Sequence, residues 1–463
     1  MDGAACEWQS VKIVEVNCWH QQRESRLIRH WIFVIRYSLF QRPVIIVNVY
    51  ALLSIIVSLA ALVAMLRLKV KIGVAMLVSA CLLALLLHVW PADLARALVE
   101  EWRSQPLTRT TGYLFVSLSL LMLLVNVIGS AMEEIGLSQR LVPAMQGLFK
   151  SRRFALAMIP LMMGMLPTPG GIMLSAPMVR EAGDNIGVER SHLAAINFLF
   201  RHVWEPVWPL FPVVPFIQGM LGVSALTLFC YHVALAGAGI LIGIIALLTS
   251  GIPPKRPDAQ PPKRHVGHHL KDFLHVFWPI VFTAGLYIAL DVPPAVGIFA
   301  AIIGLLLMHR VPAGRWWSVF KAAREPDLAL LILGALFFKT NLETSGAIGS
   351  VVEFLTSVHV PPHVLIFLLP MLVSFATGVT MPTVAITYPF LLAFMGTGRD
   401  LKMGLEALAF SGLLVGLWLT PVHLCLALSA SYFQTSLLKI IWKLVVPTAG
   451  VAVAGALLAV FFG

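Results

Sequence analysis

Apolar runs of about 20 residues recur along almost the whole of this 463-residue chain, and they restrict its fold more than any other feature. As an α-helix, a run of this length matches the hydrocarbon core of a bilayer, which is about 30 Å thick. Only 12% of the residues are charged, whereas a soluble protein carries roughly 25%. The sequence therefore predicts an all-α polytopic membrane protein and excludes a soluble enzyme, a nucleic-acid-binding protein and a disordered scaffold.

The runs predict about ten transmembrane helices, five on each side of a polar, proline-rich linker at 251–275. The predicted crossings lie at about 44–66, 72–89, 111–132, 191–214, 222–248, 276–290, 295–309, 327–343, 403–430 and 444–462. Residues 1–42 form an N-terminal extension that suits an interfacial helix or reflects an early start codon. No cleavage site follows the first long apolar run, so we expect no signal peptide.

Two further apolar stretches, at about 153–183 and 363–395, are each split by a breaker into two arms. The breakers are PTPGG at 167–171 and GVTMP at 378–382. Each arm makes only about 20 Å of helix, which is too short to cross the hydrocarbon core. We therefore predict two re-entrant hairpins, with proline-kinked ordinary helices as the alternative.

The basic residues test this map, because Lys and Arg are enriched in cytoplasmic loops. If the hairpins do not cross, one set of loops holds 20 Lys and Arg residues and the opposite set holds 5. The net charge of +11 is then loop charge that sets topology. The richer set, with the linker 251–275, is predicted to be cytoplasmic in a prokaryotic inner membrane. Both termini then lie outside, which puts five arginines of the N-terminal extension on the unfavoured side.

The order of elements in the first half, 43–250, repeats in the second half, 276–463. Residues match in order at a slowly drifting offset: Glu133 with Glu343, Gly136 with Gly346, Pro160 with Pro370, Pro177 with Pro389 and Pro206 with Pro421. Five crossings in a half is an odd number, so the second copy must be inverted in the membrane. Inverted repeats with broken helices are typical of secondary transporters.

The order of three helices, a hairpin, a broken helix and a last helix, occurring twice, resembles the ion transporter superfamily. That group includes divalent-anion/sodium symporters, gluconate and citrate permeases and arsenite carriers. The segments LPTPGGIMLSAPMV (166–179) and FRHVWEPVWPLFP (200–212) look most like an uncharacterised bacterial and archaeal branch of it. The hairpin tips lack the Ser-Asn-Thr pattern of its sodium/dicarboxylate members. The resemblance covers about 45–463 and implies a homodimer formed by static helices.

Helices that break at mid-membrane depth expose N–H groups, which favour anions, and C=O groups, which bind cations. Glycines let the backbone approach a ligand, and threonines add hydroxyl groups. The predicted tip residues are Thr168, Pro169, Gly170 and Gly171 in the first hairpin and Gly378, Thr380, Pro382 and Thr383 in the second. The alternative is that these residues only form tight turns.

The fourth crossing of each half contains a second break. Pro206 interrupts the first, within Trp204–Pro209, and Thr420, Pro421 and His423 form the second. Proline removes a donor and frees carbonyl groups at mid-depth. Matched breaks beside matched hairpins predict a binding site, with a simple kink as the alternative for either break alone.

Ionisable groups at this depth are costly and indicate function by default. Arg201, His202 and Glu205 cluster in the first broken helix, where His202 and a desolvated Glu205 would suit proton coupling. Lys339 and Glu343 form a second i,i+4 pair. The alternative for each group is an internal salt bridge.

Other sequence motifs give weaker predictions of function. The five cysteines, Cys425 among them, show no CxxC spacing, so we expect neither a disulfide framework nor a metal site. Glu406, near a helix start, is interpreted as an interfacial residue. The GxxxG from Gly412 to Gly416 indicates close helix packing.

These features predict a secondary active transporter that moves a small organic anion of the carboxylate type by alternating access. H⁺ or Na⁺ would be the coupling ion, and H⁺ is favoured. Expected partners are a small anionic substrate, membrane lipids and, by the resemblance, a second copy of the chain; no nucleic acid, cofactor or enzymatic activity is expected. The alternatives are an exporter of an oxyanion or metabolite and, less favoured, a lipid flippase, a membrane enzyme or a channel.

Overall fold

The computed structural model describes residues 49–137, 152–165, 172–184, 186–249, 252, 266–322 and 326–463. Within these ranges every regular element is a helix and no strand occurs. The N-terminal extension, the tip of the first predicted hairpin and most of the linker lie outside the described residues. The all-α prediction is confirmed.

In the first half the helices run from 49 to the polar linker. They are α1 (Val49–Arg67), α2 (Ile72–Leu86), α3 (Pro91–Ser104), α4 (Thr111–Glu134), α5 (Arg152–Gly164), α6 (Ile172–Asp184), α7 (Arg190–His202), α8 (Val213–Leu221) and α9 (Ala225–Gly243). A π-helical turn, Ile244–Thr249, extends α9.

The second half follows the same order with one additional described helix, α14. Its helices are α10 (Val266–Leu290), α11 (Pro294–Met308), α12 (Ala313–Ala322), α13 (Pro326–Thr344), α14 (Ala347–Ser357), α15 (Pro362–Thr377), α16 (Thr380–Met395), α17 (Met403–Leu419), α18 (Leu424–Tyr432) and α19 (Leu437–Phe462).

Five of the described helical segments are long and apolar enough to cross a membrane. They are Val49–Arg67, Thr111–Met132, Ala225–Thr249, Met403–Tyr432 and Leu437–Phe462. The number rises to seven if two bent pairs each form one span: α2 with α3, bent by 105°, and α13 with α14, bent by 70°. Many large apolar side chains on these helices are exposed, as a lipid-facing surface requires. The chain is therefore an all-α membrane protein.

Some helix boundaries differ from the predicted map. Helix α3 was not predicted; Pro91 starts it, and none of its residues is buried, as in an amphipathic surface helix. Helix α10 begins at Val266, so the last ten residues of the predicted linker 251–275 are helical. Hydropathy marks where the hydrocarbon region begins, whereas a helix can extend beyond it into water.

Helices of the two halves pack against each other in reciprocal pairs. Helix α2 packs against α13 as α4 packs against α11, and α7 packs against α19 as α9 packs against α17. In the same way, α6 contacts α18 and α8 contacts α16. Matched in order, α2, α4 and α6–α9 of the first half correspond to α11, α13 and α16–α19 of the second half. Under this correspondence, the two contacts in each pair named above are equivalent. Reciprocal contacts of this kind are what a two-fold relation between two copies produces.

Polar contacts join loops at each end of the helix bundle. Asp291 Oδ1 accepts hydrogen bonds from Gln218 Nε2 at 3.1 Å and from the N–H of Ala225 at 2.6 Å. Elsewhere, Lys443 Nζ donates to Glu189 Oε2 at 3.1 Å. The first group joins helix ends and a loop next to the predicted loops that are poor in Lys and Arg, and the second joins helix ends next to the predicted loops that are rich in them. These contacts therefore group the chain segments as the charge distribution does.

Candidate substrate and ion site

Each half contains one helix that breaks at proline. Helix α7 ends at His202, and irregular turns carry the chain through 203–212, which includes Pro206, to α8. Helices α17 and α18 are separated by 420–423, which includes Pro421. Proline lacks the N–H that continues a helix and clashes with the preceding turn, which explains both breaks.

The two breaks meet inside the protein. His202 Nε2 lies 3.1 Å from His423 Nε2, although the two residues are 221 positions apart. The ring planes are inclined by 79°, and both residues are buried, with 5% and 9% of their surface exposed. Phe198 stacks on the His202 ring. Two predicted site residues, one from each half, thus come together at one point.

Backbone carbonyls fix which nitrogen of each ring carries a hydrogen. His202 Nδ1 lies 2.6 Å from the carbonyl oxygen of Phe198, and His423 Nδ1 lies 2.8 Å from that of Gly378. A carbonyl oxygen can only accept, so each Nδ1 is the donor. Each Nε2 then directs a lone pair toward the other ring, an arrangement that a proton or another cation between the two nitrogens would stabilise.

Helix α5, the first arm of the predicted hairpin at 153–183, contacts the first break through its backbone oxygens. Arg201 Nη1 donates to the carbonyl oxygen of Met163 at 2.9 Å, and Trp204 Nε1 donates to that of Leu161 at 2.6 Å. Gly164 makes this approach feasible, because a Cβ at that position would lie 2.3 Å from the Arg201 oxygen. The break and the hairpin arm therefore form one packed unit.

The arm α15 holds the second break in the same way. Thr420 Oγ1 donates to the carbonyl oxygen of Phe375 at 2.5 Å, and His423 Nδ1 donates to that of Gly378. Gly378 ends α15 with φ of +70°, a left-handed conformation that glycine adopts without steric cost. A Cβ there would lie 3.1 Å from the His423 nitrogen.

Replacement of Gly378 by alanine is therefore expected to destabilise the protein by more than the ~1–2 kcal/mol of left-handed strain alone. Gly346→Ala is the matched control, because Gly346 has φ of +71° and open space where its Cβ would be. Thermal unfolding of the purified variants measures both effects. Equal shifts in Tm would show that the contact with His423 is not tight.

Glu205, in the first break, is 5% exposed and its Oε2 has no hydrogen-bond partner within the described residues. The carboxyl group interacts with the indole N–H of Trp418, in α17, whose Nε1 is likewise buried. Buried polar atoms are nearly always paired, and the contact between Glu205 and Trp418 provides such a pairing between the first break and the helix that precedes the second break.

In the second predicted hairpin tip, the Thr383 hydroxyl is directed toward the backbone of the tip itself. Thr383 Oγ1 donates to the carbonyl oxygen of Val379 at 2.8 Å. Thr383 and Pro382 are buried, and Thr380 is partly exposed at the start of α16. The predicted residues of the first tip lie outside the described residues: Thr168, Pro169, Gly170 and Gly171.

Two other predicted residues pair away from the broken helices. Lys339 Nζ donates to Glu343 Oε2 at 2.7 Å along α13, and no described hydrogen bond or ion pair joins either to α7, α8, α17 or α18. Of the two break prolines, Pro206 is buried and Pro421 is exposed.

A buried polar network beside the first break was not predicted from the sequence. His232 Nε2, in α9, lies 2.7 Å from Glu406 Oε2, in α17, and Tyr388 OH donates to Glu406 Oε1 at 2.9 Å. His232 Nδ1 also lies 2.6 Å from the carbonyl oxygen of Pro206. Glu406 is fully buried, so its interpretation as an interfacial residue was wrong. The rule that ionisable groups at depth are functional would have found His232.

The fold defines a class: a polytopic α-helical membrane protein with polar side chains buried where two broken helices meet. Residues 48–462 match the family described as "Protein of unknown function (DUF401)", and the chain belongs to that family. No curated protein matches the chain in sequence. Any statement about activity therefore depends on the geometry of the site.

Proposed function

We propose that this protein is a secondary active transporter that carries a small organic anion of the carboxylate type by alternating access, coupled to H⁺ or Na⁺. The observation that carries the proposal is the meeting of two helix breaks from different halves at His202 and His423. Secondary transporters place their sites at the interface of two repeats, where discontinuous helices end. The resemblance to the ion transporter superfamily supports the same class.

The reciprocal helix contacts support inverted repeats. In this proposal the protein has about ten crossings and two re-entrant hairpins, α5–α6 and α15–α16, which open toward opposite faces. The lysine-rich loops lie in the cytoplasm, and both termini lie outside a prokaryotic inner membrane. The hairpins and broken helices form the moving unit, and the remaining helices form the static unit and the homodimer contact.

Positive potential at the breaks favours an anionic substrate. Helices α8, α16 and α18 all begin at or beside a break or tip, and none has a side-chain hydrogen bond at its N-cap. Helix N-termini attract anions through their N–H groups. The buried guanidinium of Arg201 adds a full charge at the end of α7. A carboxylate suits both kinds of donor.

A thermal-shift screen of the purified protein tests the substrate class. The panel contains succinate, citrate, gluconate, arsenite, phosphate and neutral analogues, each with and without Na⁺ at two pH values. A ligand at 100 times its Kd should stabilise the fold by about 2.7 kcal/mol. Any anion that stabilises the protein is then assayed for uptake into proteoliposomes under a pH gradient or a Na⁺ gradient.

Arg201→Gln should weaken binding of the stabilising anion at least about tenfold, because charge-assisted hydrogen bonds contribute about 1.5–3 kcal/mol. Arg96→Gln is the control, since the Arg96 side chain is 79% exposed on α3. Unchanged affinity in Arg201→Gln would remove Arg201 from the site. Uptake that responds to neither gradient would refute the coupling.

The competing functions give different results in the same experiments. Stabilisation by lipids or neutral compounds, with none by anions, would refute the anion transporter and favour a flippase. Net movement of the anion only outward under a physiological gradient would identify an exporter.

A further inference from the structure

We infer that His202, His423 and Cys425 form a binding site for a thiophilic transition-metal ion of the Zn²⁺ type. One ring nitrogen of each histidine and the Cys425 Sγ all lie within 4.8 Å of one another. His202 ends α7, His423 is the N-cap of α18 and Cys425 is the second residue of α18. The site thus joins the two halves of the chain and goes beyond the proposed transport of an anion.

The hydrogen bonds of both rings are those of metal-binding histidines. Each Nδ1 faces a backbone carbonyl, of Phe198 and of Gly378, and this leaves each Nε2 as the atom with the free lone pair. A metal-bound histidine almost always donates its other ring N–H to such an acceptor, which fixes the orientation of the ring. Two neutral imidazoles that point their lone pairs at one spot are set for a cation.

The spacing of the two nitrogens suits one ion. Two Zn–N bonds of about 2.0–2.1 Å at a tetrahedral angle separate the nitrogens by about 3.3 Å. The observed separation between His202 Nε2 and His423 Nε2 is 3.1 Å. A proton shared by the two rings would fit this distance as well, but it would give Cys425 no role.

The Cys425 ligand restricts the kind of metal ion that the site can bind. A thiolate with two imidazoles is a ligand set for Zn²⁺ or a similar soft to borderline ion, and not for Na⁺, Mg²⁺ or Ca²⁺, which prefer oxygen. The thiolate also offsets one of the two charges of the ion. Three protein ligands leave a fourth position open, as in zinc sites that bind water or substrate.

A nearby acidic residue, Glu205, supplies negative charge beside the three ligands. It lies three residues after His202, and its carboxyl group interacts electrostatically with the Cys425 thiol. Its Oε2 is buried without a described partner. A carboxylate beside the ligands offsets the second charge of the ion, and the Trp418 indole N–H, which Glu205 also contacts, orients that carboxylate.

Metal binding by the full-length protein in detergent tests the inference. After treatment with a chelator, the protein is titrated with Co²⁺, and then with Zn²⁺ in competition with a chelating dye. We expect one ion per chain and a thiolate-to-Co²⁺ charge-transfer band in the near ultraviolet. Cys425→Ser should abolish that band while thermal unfolding of the metal-free protein stays close to wild type.

His423→Gln should weaken Zn²⁺ binding by more than about 100-fold, because even groups outside the ligand shell contribute 10–100-fold. The chain offers a matched control in a second histidine pair: His275 and His309 have Nε2 atoms 3.2 Å apart but are joined by no cysteine in the described structure. His275→Gln should leave the tight site unchanged.

Two results would overturn the inference. Wild-type protein that binds no ion stoichiometrically, or only at millimolar concentration, would leave a proton shared by the two rings as the only cation between them. Equal loss of binding in His275→Gln and His423→Gln would show that the ion binds to histidines without preference for the proposed site. Neither result bears on whether the protein transports an anion.

Discussion

Replacement of His232 by alanine is expected to lower the free energy of unfolding by about 3–5 kcal/mol. His232 and Glu406 are both fully buried and lie 2.7 Å apart, in helices from different halves. Removal of the imidazole leaves the Glu406 carboxyl group in the protein interior with the Tyr388 hydroxyl as its one side-chain partner among the described residues. Unfolding of the purified protein in mixed micelles, followed by circular dichroism, measures the change.

Two further variants separate the causes of this loss. Tyr388→Phe removes only a neutral donor and should cost about 1–3 kcal/mol. The double variant His232→Leu with Glu406→Leu should recover much of the stability, because apolar residues of similar volume often replace a buried polar pair at little cost. If the double variant is as unstable as the sum of its single variants, the two residues do not form an energetic pair.

Replacement of Gly416 by valine is expected to destabilise the protein by at least about 3 kcal/mol. A Cβ at Gly416 would lie 2.1 Å from the carbonyl oxygen of Met371 and from the Ser374 hydroxyl, both in α15. Gly412 makes the same contact one turn earlier, against Phe367. Even moderate overpacking costs about 1–3 kcal/mol, and here the clash is with backbone, which yields little.

Gly237→Val is the matched control, since Gly237 lies within α9 and a Cβ there would meet nothing within 4 Å. It should change the thermal midpoint only by the difference in helix propensity, which is below about 1 kcal/mol. A similar shift for both variants would show that α15 and α17 are not in tight contact. The GxxxG motif then would have no packing role.

The sequence predicts local features of the fold well because they depend on neighbouring residues. Hydropathy located most of the helices, and Gly378 and Pro421 marked breaks that the structure contains. The GxxxG prediction of close packing is confirmed at Gly412 and Gly416. Helix α3 was missed because its polar residues hide a helix that lies on the surface.

Features that depend on distant contacts could not be predicted. Glu406 is near the start of α17, which suggested an interfacial position. The end of α19 covers that start, since a Cβ at Gly404 would lie 2.2 Å from the carbonyl oxygen of Leu458. Cys425 gave no metal signal because the CxxC test considers only ligands close in sequence, whereas its neighbour His202 comes from the other half.

The polar contacts between the hairpin arms and the breaks end on main-chain oxygens, at Leu161, Met163, Phe375 and Gly378. A main-chain acceptor is supplied by any amino acid, so these attachments depend on the position of the arm. The identity of the arm residue matters at Gly164 and Gly378, where a Cβ would crowd the break. The other arm positions can therefore diverge in sequence among relatives while the break residues stay anchored. Insertion or deletion of a single residue in an arm would instead rotate every acceptor away by about 100° of helical turn.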